Sequence, residues 1–169
     1  MQPPQKPCGR AAFDSDATGK SILLVEDDPD MALLLVEFLE GYFYRVTRVV
    51  NGVDGLKAVL GADFDVILCD MVMPQMPGDL FYFAVQRMRP ELCERFIFMT
   101  AHGENPRTQE FLNRVSEMVL AKPFHLDDVL EAILLLFREL EGGNRLLAPG
   151  DDRVSADRPS AEPHPRLPV

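Results

Sequence analysis

Asp70 ends the apolar run Val66-Ile67-Leu68-Cys69, and a carboxylate at the open end of a buried strand is placed to react rather than to pack. Three other apolar runs end in residues that could work with it. Ile22-Leu23-Leu24-Val25 leads into Glu26-Asp27-Asp28, Phe96-Ile97-Phe98-Met99 into Thr100, and Met118-Val119-Leu120-Ala121 into Lys122-Pro123. Three carboxylates at close quarters repel one another, and a hard divalent cation with oxygen ligands is the simplest neutraliser. Mg²⁺, or Mn²⁺ in its place, keeps several waters, takes one or two carboxylates and accepts phosphate oxygens, so the donor set points to phosphoryl chemistry. Lys122 and Thr100 would bring a positive charge and a hydroxyl donor to phosphoryl oxygens. Nucleophilic aspartate, metal, lysine and hydroxyl together make a site for aspartate phosphorylation.

Elements that could bring these residues together are legible in the hydrophobic pattern. Short apolar runs at 21–26, 44–50, 65–70, 95–100 and 117–121 alternate with helical patterns at 29–41, 52–61, 78–89, 106–114 and 126–140. Five such alternations predict an α/β fold of flavodoxin-like (βα)₅ type, a doubly wound, five-stranded parallel sheet of order 2-1-3-4-5. In that order strands 1 and 3 become neighbours where the winding reverses, which would converge Glu26, Asp27 and Asp70 outside the carboxyl ends of the strands. Asp28-Pro29 and Asn105-Pro106 are N-cap and first-turn pairs, and Asn51 with Asp54 resembles a capping box. Gly142-Gly143 should stop the last helix.

Seventeen basic and twenty-seven acidic residues among 169 give a net charge of −10, with no basic cluster, which disfavours nucleic-acid binding. No stretch approaches the ~20 apolar residues of a membrane span, and the first twenty residues lack a signal-type apolar core. Cys8, Cys69 and Cys93 are odd in number and lack a CxxC or Cys/His spacing, so reduced thiols in a cytoplasmic protein are expected, with Cys69 a small strand filler. Residues 1–19 and the Pro-rich 142–169 lack periodicity and read as disordered ends around one domain, 20–141, with no output domain after it.

The chain resembles a response-regulator receiver domain of two-component signalling, free-standing or attached to a hybrid kinase. The resemblance rests on four motifs in order, each closing a predicted strand: Val25-Glu26-Asp27-Asp28, Asp70-Met71-Val72-Met73-Pro74 with Gly78, Met99-Thr100-Ala101, and Ala121-Lys122-Pro123-Phe124. It implies that Asp70 is the phosphoacceptor and that Asp27 holds the metal directly, with Glu26 acting through water and the Val72 backbone carbonyl completing the set. Thr100, Ala101 and Lys122 would form the phosphate-binding switch, and Lys122-Pro123 a cis bond. The phosphoryl donor would be a phosphohistidine of a histidine kinase or phosphotransfer protein. The phosphorylated state would address a downstream protein target, with a homodimer through helix 4, strand 5 and helix 5 as one route.

Two features depart from the family pattern. Val119 stands where an aromatic ring usually rotates inward, so displacement of helix 4 or dimerisation is a better readout than ring burial. Val72 and His102 occupy positions that tune the lifetime of the phosphoryl group, and Val72 cannot hydrogen-bond an attacking water; His102 reads either as a solvated loop residue or as a water-positioning one. Helix 1 carries more apolar residues than one stripe needs, so either Ala32, Leu33 and Val36 face outward as a kinase contact or the helix is widely buried. The run Leu134-Leu135-Leu136 poses the same choice in helix 5, with a homodimer face as the outward reading.

Simpler readings exist for each motif taken singly. Glu26-Asp27-Asp28 could be N-terminal capping and dipole compensation, and Lys122 a solvated strand-end lysine. A receiver-like interaction module that is never phosphorylated is the main alternative, opposed by the intact set of five polar residues. A haloacid-dehalogenase-type phosphatase needs a second aspartate at position 72, which is Val. An FMN carrier needs a phosphate loop after strand 1, where three acidic residues stand.

Overall fold

The computed structural model describes residues 19–101, 106–115 and 117–142. Five parallel strands, β1 (Ser21–Val25), β2 (Arg45–Val49), β3 (Val66–Asp70), β4 (Phe96–Ala101) and β5 (Met118–Lys122), form one sheet of order β2-β1-β3-β4-β5, as the alternation predicts. The helices are α1 (Pro29–Gly41), α2 (Gly52–Gly61), α3 (Gly78–Met88), α4 (Pro106–Arg114) and α5 (Leu126–Gly142). A 3₁₀ helix at Pro90–Arg95 stands between α3 and β4, where the sequence pattern carries no helical period. No helix among the described residues is long and apolar enough to cross a membrane. Of the expected disordered ends, residues 1–18 and 143–169 lie outside the described residues, as do His102 and the Asn105 cap, while Gly142 closes α5.

Strand alternation divides the core into two. Leu23, Val25, Ile67, Cys69, Phe96 and Phe98 face α2, α3 and α4, while Ile22, Leu24, Val66, Leu68, Ile97 and Met99 face α1 and α5. Because β1 and β3 are covered on both faces, they can be apolar throughout and tolerate a polar residue only where they emerge. Helix α1 buries Ala32, Leu35 and Leu39, one stripe at helical spacing, so Ala32 belongs to the core rather than to an outward contact. Its surplus apolar residues, Leu33 and Leu34, are exposed. In α5 the triple leucine splits the same way, with Leu136 buried and Leu135 exposed.

Caps fix where the helices begin. Asp28 Oδ1 accepts the N–H groups of Asp30 (2.8 Å) and Met31 (3.1 Å), capping α1 two residues after Glu26. Asn51 Oδ1 accepts the Asp54 N–H (2.9 Å), and its Nδ2 donates to Asp54 Oδ2 (3.1 Å), so Asp54 returns to the side chain of the cap, being too short for the usual backbone contact. Gly78 opens α3 because nothing larger fits. A Cβ there would lie 2.7 Å from the Asp70 carbonyl oxygen, and the Gly78 N–H donates to Met71 O (3.1 Å).

At the far end of the sheet, Asp65 ties β3 to β1. Burial pushes its carboxyl up, but hydrogen bonds from the Ser21 N–H (2.8 Å) and hydroxyl (3.0 Å), helped by the Lys20 and Arg95 charges, outweigh this and leave it below the ordinary aspartate range. A depressed folded-state value stabilises the fold above the unfolded pKa of about 3.9, and the contribution is lost as pH falls through the lower folded value. Asp65→Asn is therefore expected to lower stability by about 1 kcal/mol at neutral pH. Urea unfolding should show the gap between the two proteins closing as pH falls below the ordinary aspartate range; a gap independent of pH would refute the assignment.

Candidate functional site

Register places the acidic residues. Val25 of β1 pairs with Cys69 of β3, so Glu26 and Asp70 leave the sheet side by side, with Asp27 one step beyond. Carboxylate oxygens of Glu26, Asp27 and Asp70 lie within 4.8 Å of one another. Glu26 and Asp70 are almost wholly buried, with side chains 1% and 9% exposed, whereas Asp27 is open to solvent. Local backbone steadies both buried carboxylates: the Asp28 N–H donates to Glu26 Oε1 (3.2 Å), and the Val72 N–H to Asp70 Oδ1 (3.4 Å).

Lys122 reaches this pair from β5, two strands from Asp70 and three from Glu26. Its Nζ lies 3.0 Å from Glu26 Oε2 and 3.0 Å from Asp70 Oδ2. Only a long, flexible side chain can span β4 in this way. The Lys122–Pro123 bond is cis, as the family resemblance implies. Burial and the neighbouring Asp70 charge raise the Glu26 carboxyl above its ordinary value, with Lys122 and the Asp28 N–H working against them. For Lys122, burial pulls the ammonium down, but its contacts with Asp70 and Glu26 prevail and hold it above the ordinary lysine value.

The charge count of this cluster is unequal. Ionised, the three carboxylates face the one ammonium that reaches them among the described residues, leaving two negative charges where two of the three groups are shielded from water. One divalent cation balances that excess, and the open side at Asp27 leaves room for its waters. Glu26, Asp27 and Asp70 therefore fit a hard divalent cation. Cys69 takes no part, since burial, followed by the charges of Asp70 and Glu26, holds its thiol well above the usual range. It donates to the Asp70 carbonyl (3.2 Å) and fills the strand.

The remaining expected residues frame the cluster. β4 pairs Met99 with Asp70, so Thr100 stands one residue beyond the Asp70 level, between β3 and β5 and half-buried. Ala101 is exposed and in register with Lys122. Val72 forms an apolar rim, its side chain largely in solvent. Val119 pairs with Phe98 and is 42% exposed. Met118 and Leu120 pack with the α1–α5 side, so alternation turns Val119 toward α4.

Two features of the site escape linear reading. The Lys122–Glu26 contact joins β5 to β1 across ninety-six residues. Asp79, in the first turn of α3, is a buried carboxylate whose Oδ2 lies 2.9 Å from the Arg107 guanidinium of α4. Acidic residues are ordinary in a first helical turn, and nothing in the linear pattern connects positions 79 and 107.

A family model for the response regulator receiver domain matches residues 22–134. The response regulator receiver protein CpdR of Brucella abortus is 34% identical over 114 residues, covering 68% of this chain and 93% of its own length. Transcriptional regulatory protein TcrA of Mycobacterium tuberculosis is 30% identical over 159 residues, covering 89% of this chain; the chain spans 60% of TcrA. Among solved structures, a CheY-like receiver domain protein from Methanospirillum hungatei superposes with a TM-score of 0.67 at 26% identity, covering 75% of this chain and all of that one. The receiver domain of a sensor histidine kinase from Pseudomonas aeruginosa, described with a magnesium ion coordinated in its active-site cleft, gives a TM-score of 0.63 at 25% identity, covering 70% of this chain and 98% of that one.

The unbalanced carboxylates generate a stability test. Mg²⁺ at a hundredfold excess over its Kd is expected to stabilise the native protein by about 2.7 kcal/mol in urea unfolding. Asp27→Asn should lose most of this response. Equal Mg²⁺ stabilisation of the two proteins would remove Asp27 from the cation site.

Proposed function

The chain belongs to the response regulator receiver domain family, and on that premise we propose that it is a phosphorylation switch that receives a phosphoryl group on Asp70 from a phosphohistidine of a histidine kinase or phosphotransfer protein. The observation that carries this reading is the meeting of Asp70 with Glu26, Asp27 and Lys122 at the carboxyl ends of three strands. An oxygen of Asp70 forms the new P–O bond as the P–N bond to histidine breaks, the electron pair remaining on the imidazole. The product is an acyl phosphate. Asp27, Asp70 and the Val72 carbonyl would hold Mg²⁺ with Glu26 acting through water; when bound, the ion supplies charge neutralisation at the phosphoryl oxygens.

Lys122 already touches the acceptor carboxylate, so it is placed to follow the charge from Asp70 onto the transferred group. Thr100, one step farther along β4, would donate its hydroxyl to another phosphoryl oxygen, and the Ala101 N–H is the adjacent backbone donor. Output is by protein contact in the cytoplasm. The exposed Leu33 and Leu34 of α1 are apolar surface for the phosphoryl donor, and Val119 with Leu135 supplies part of a self-association face. His102 lies outside the described residues, and Val72 is the second lifetime-tuning position. Its exposed side chain offers an attacking water no hydrogen bond.

Incubation with acetyl phosphate and Mg²⁺ should add the mass of one phosphoryl group to the native protein and nothing to Asp70→Asn. A protein that never gains this mass, or gains it equally in the variant, would remove the phosphoacceptor role and leave an interaction module. Val72→Asn is expected to shorten the lifetime of phospho-Asp70 severalfold, read by the decay of that mass after desalting. Identical decay in both proteins would exclude position 72 from control of hydrolysis.

A further inference from the structure

The apolar seat of α4 is made by α3 and β4. This nine-residue helix buries only Thr108 and Phe111. The Phe111 ring sits among Tyr82 and Phe83 of α3 and Phe98 of β4, with centroids at 5.5, 5.4 and 5.3 Å and edge-to-face tilts. One turn earlier, Arg107 closes the same join by its 2.9 Å ion pair with the buried Asp79, whose other oxygen accepts the Leu80 N–H (2.8 Å). The neighbouring strand on the other side offers Val119, a small side chain left 42% exposed.

The two halves of this join are anchored differently. The first turn of α3 is pressed against the end of β3: a Cβ on Gly78 would lie 2.7 Å from the Asp70 carbonyl oxygen and 3.1 Å from Met71 Cα. The first turn of α4 instead follows Thr100 and Ala101 at the end of β4. A pull on Thr100 toward a phosphoryl group at Asp70 would act on the α4 side of this join, whose first residue, Pro106, comes five positions after Ala101. A half-buried ion pair adds little net stability but penalises any arrangement that leaves its buried partner alone, which suits it to defining one of two positions.

We propose that α3 clasps α4 in its resting position through the Asp79–Arg107 ion pair and the Phe111 ring seat, and that phosphorylation of Asp70 works against this clasp. The inference rests on the reading of Asp70 as phosphoacceptor. Linkage is reciprocal: if phosphorylation weakens the clasp, weakening the clasp must favour the phosphorylated state by the same factor.

The test is a beryllofluoride titration of the full chain at fixed Mg²⁺, followed through the backbone amide resonances of residues 106–115. Arg107→Gln and Asp79→Asn are each expected to lower the midpoint by about fivefold or more, the lower end of ordinary coupling between sites. Arg107→Lys, which keeps the charge, should remain nearer native. The two substitutions change local charge in opposite senses, so a direct electrostatic effect on the anion would move their midpoints in opposite directions. That result, or midpoints unchanged in both variants, would overturn the clasp. Urea midpoints establish that each variant is folded, and because Arg107 is solvent-facing its substitution reports even if Asp79→Asn does not fold. A native protein that responds no differently from Asp70→Asn would overturn the phosphoacceptor reading itself, and the clasp's role with it.

Discussion

One ammonium against three carboxylates is the constraint around which the domain is arranged. Glu26 and Asp70 are buried where a lone charge would cost several kcal/mol, and Lys122 lies between them at 3.0 Å from each. That contact requires β1, β3 and β5 to end at one level, which a parallel sheet of this order provides and a slip of one residue in register would destroy. It is incomplete by design of charge: the lysine offsets one negative charge of three. The remainder makes the site receptive to a divalent cation and, through that cation, to phosphoryl oxygens.

The same accounting explains the apolar character of the central strands. A cluster of polar groups can sit at a strand end only if the strand itself is held without polar help, and β1 and β3 are covered by helices on both faces. Rigid walls keep the carboxylates together despite their repulsion, because separating them would mean unpacking either the α1–α5 layer or the α2–α3–α4 layer. Edge strands carry less of this burden. β2 and β5 are half exposed, and on β5 the small side chain of Val119 stands 42% exposed. α4 is seated by the rings of Tyr82, Phe83 and Phe98, which surround its Phe111.

Much of this was legible from pattern because the pattern is redundant. The alternation of apolar runs with helical periods, the caps Asp28 and Asn51, and the polar residues closing four runs all point to one parallel fold. Boundaries moved by a residue or two, as at β5, because strand ends are set by hydrogen bonding with neighbours rather than by composition. The faces of α1 were harder to assign. Eight apolar residues in one helix fit several stripes, and only packing against the sheet chose Ala32, Leu35 and Leu39 for the core and left Leu33 and Leu34 outside.

The amino-acid sequence by itself determined the fold class, the strand ends that carry chemistry and the residue types standing there, since hydrophobic period and capping are local properties of the chain. Tertiary structure decided which charges meet. Lys122 contacts Glu26 across β3 and β4, Asp79 is buried and matched to Arg107, and Gly78 has no room for a side chain because of the Asp70 carbonyl. Each of these depends on distances between elements remote in sequence, and the strength of a charge pair or a steric contact is fixed by separation and burial, neither of which the linear order of residues contains.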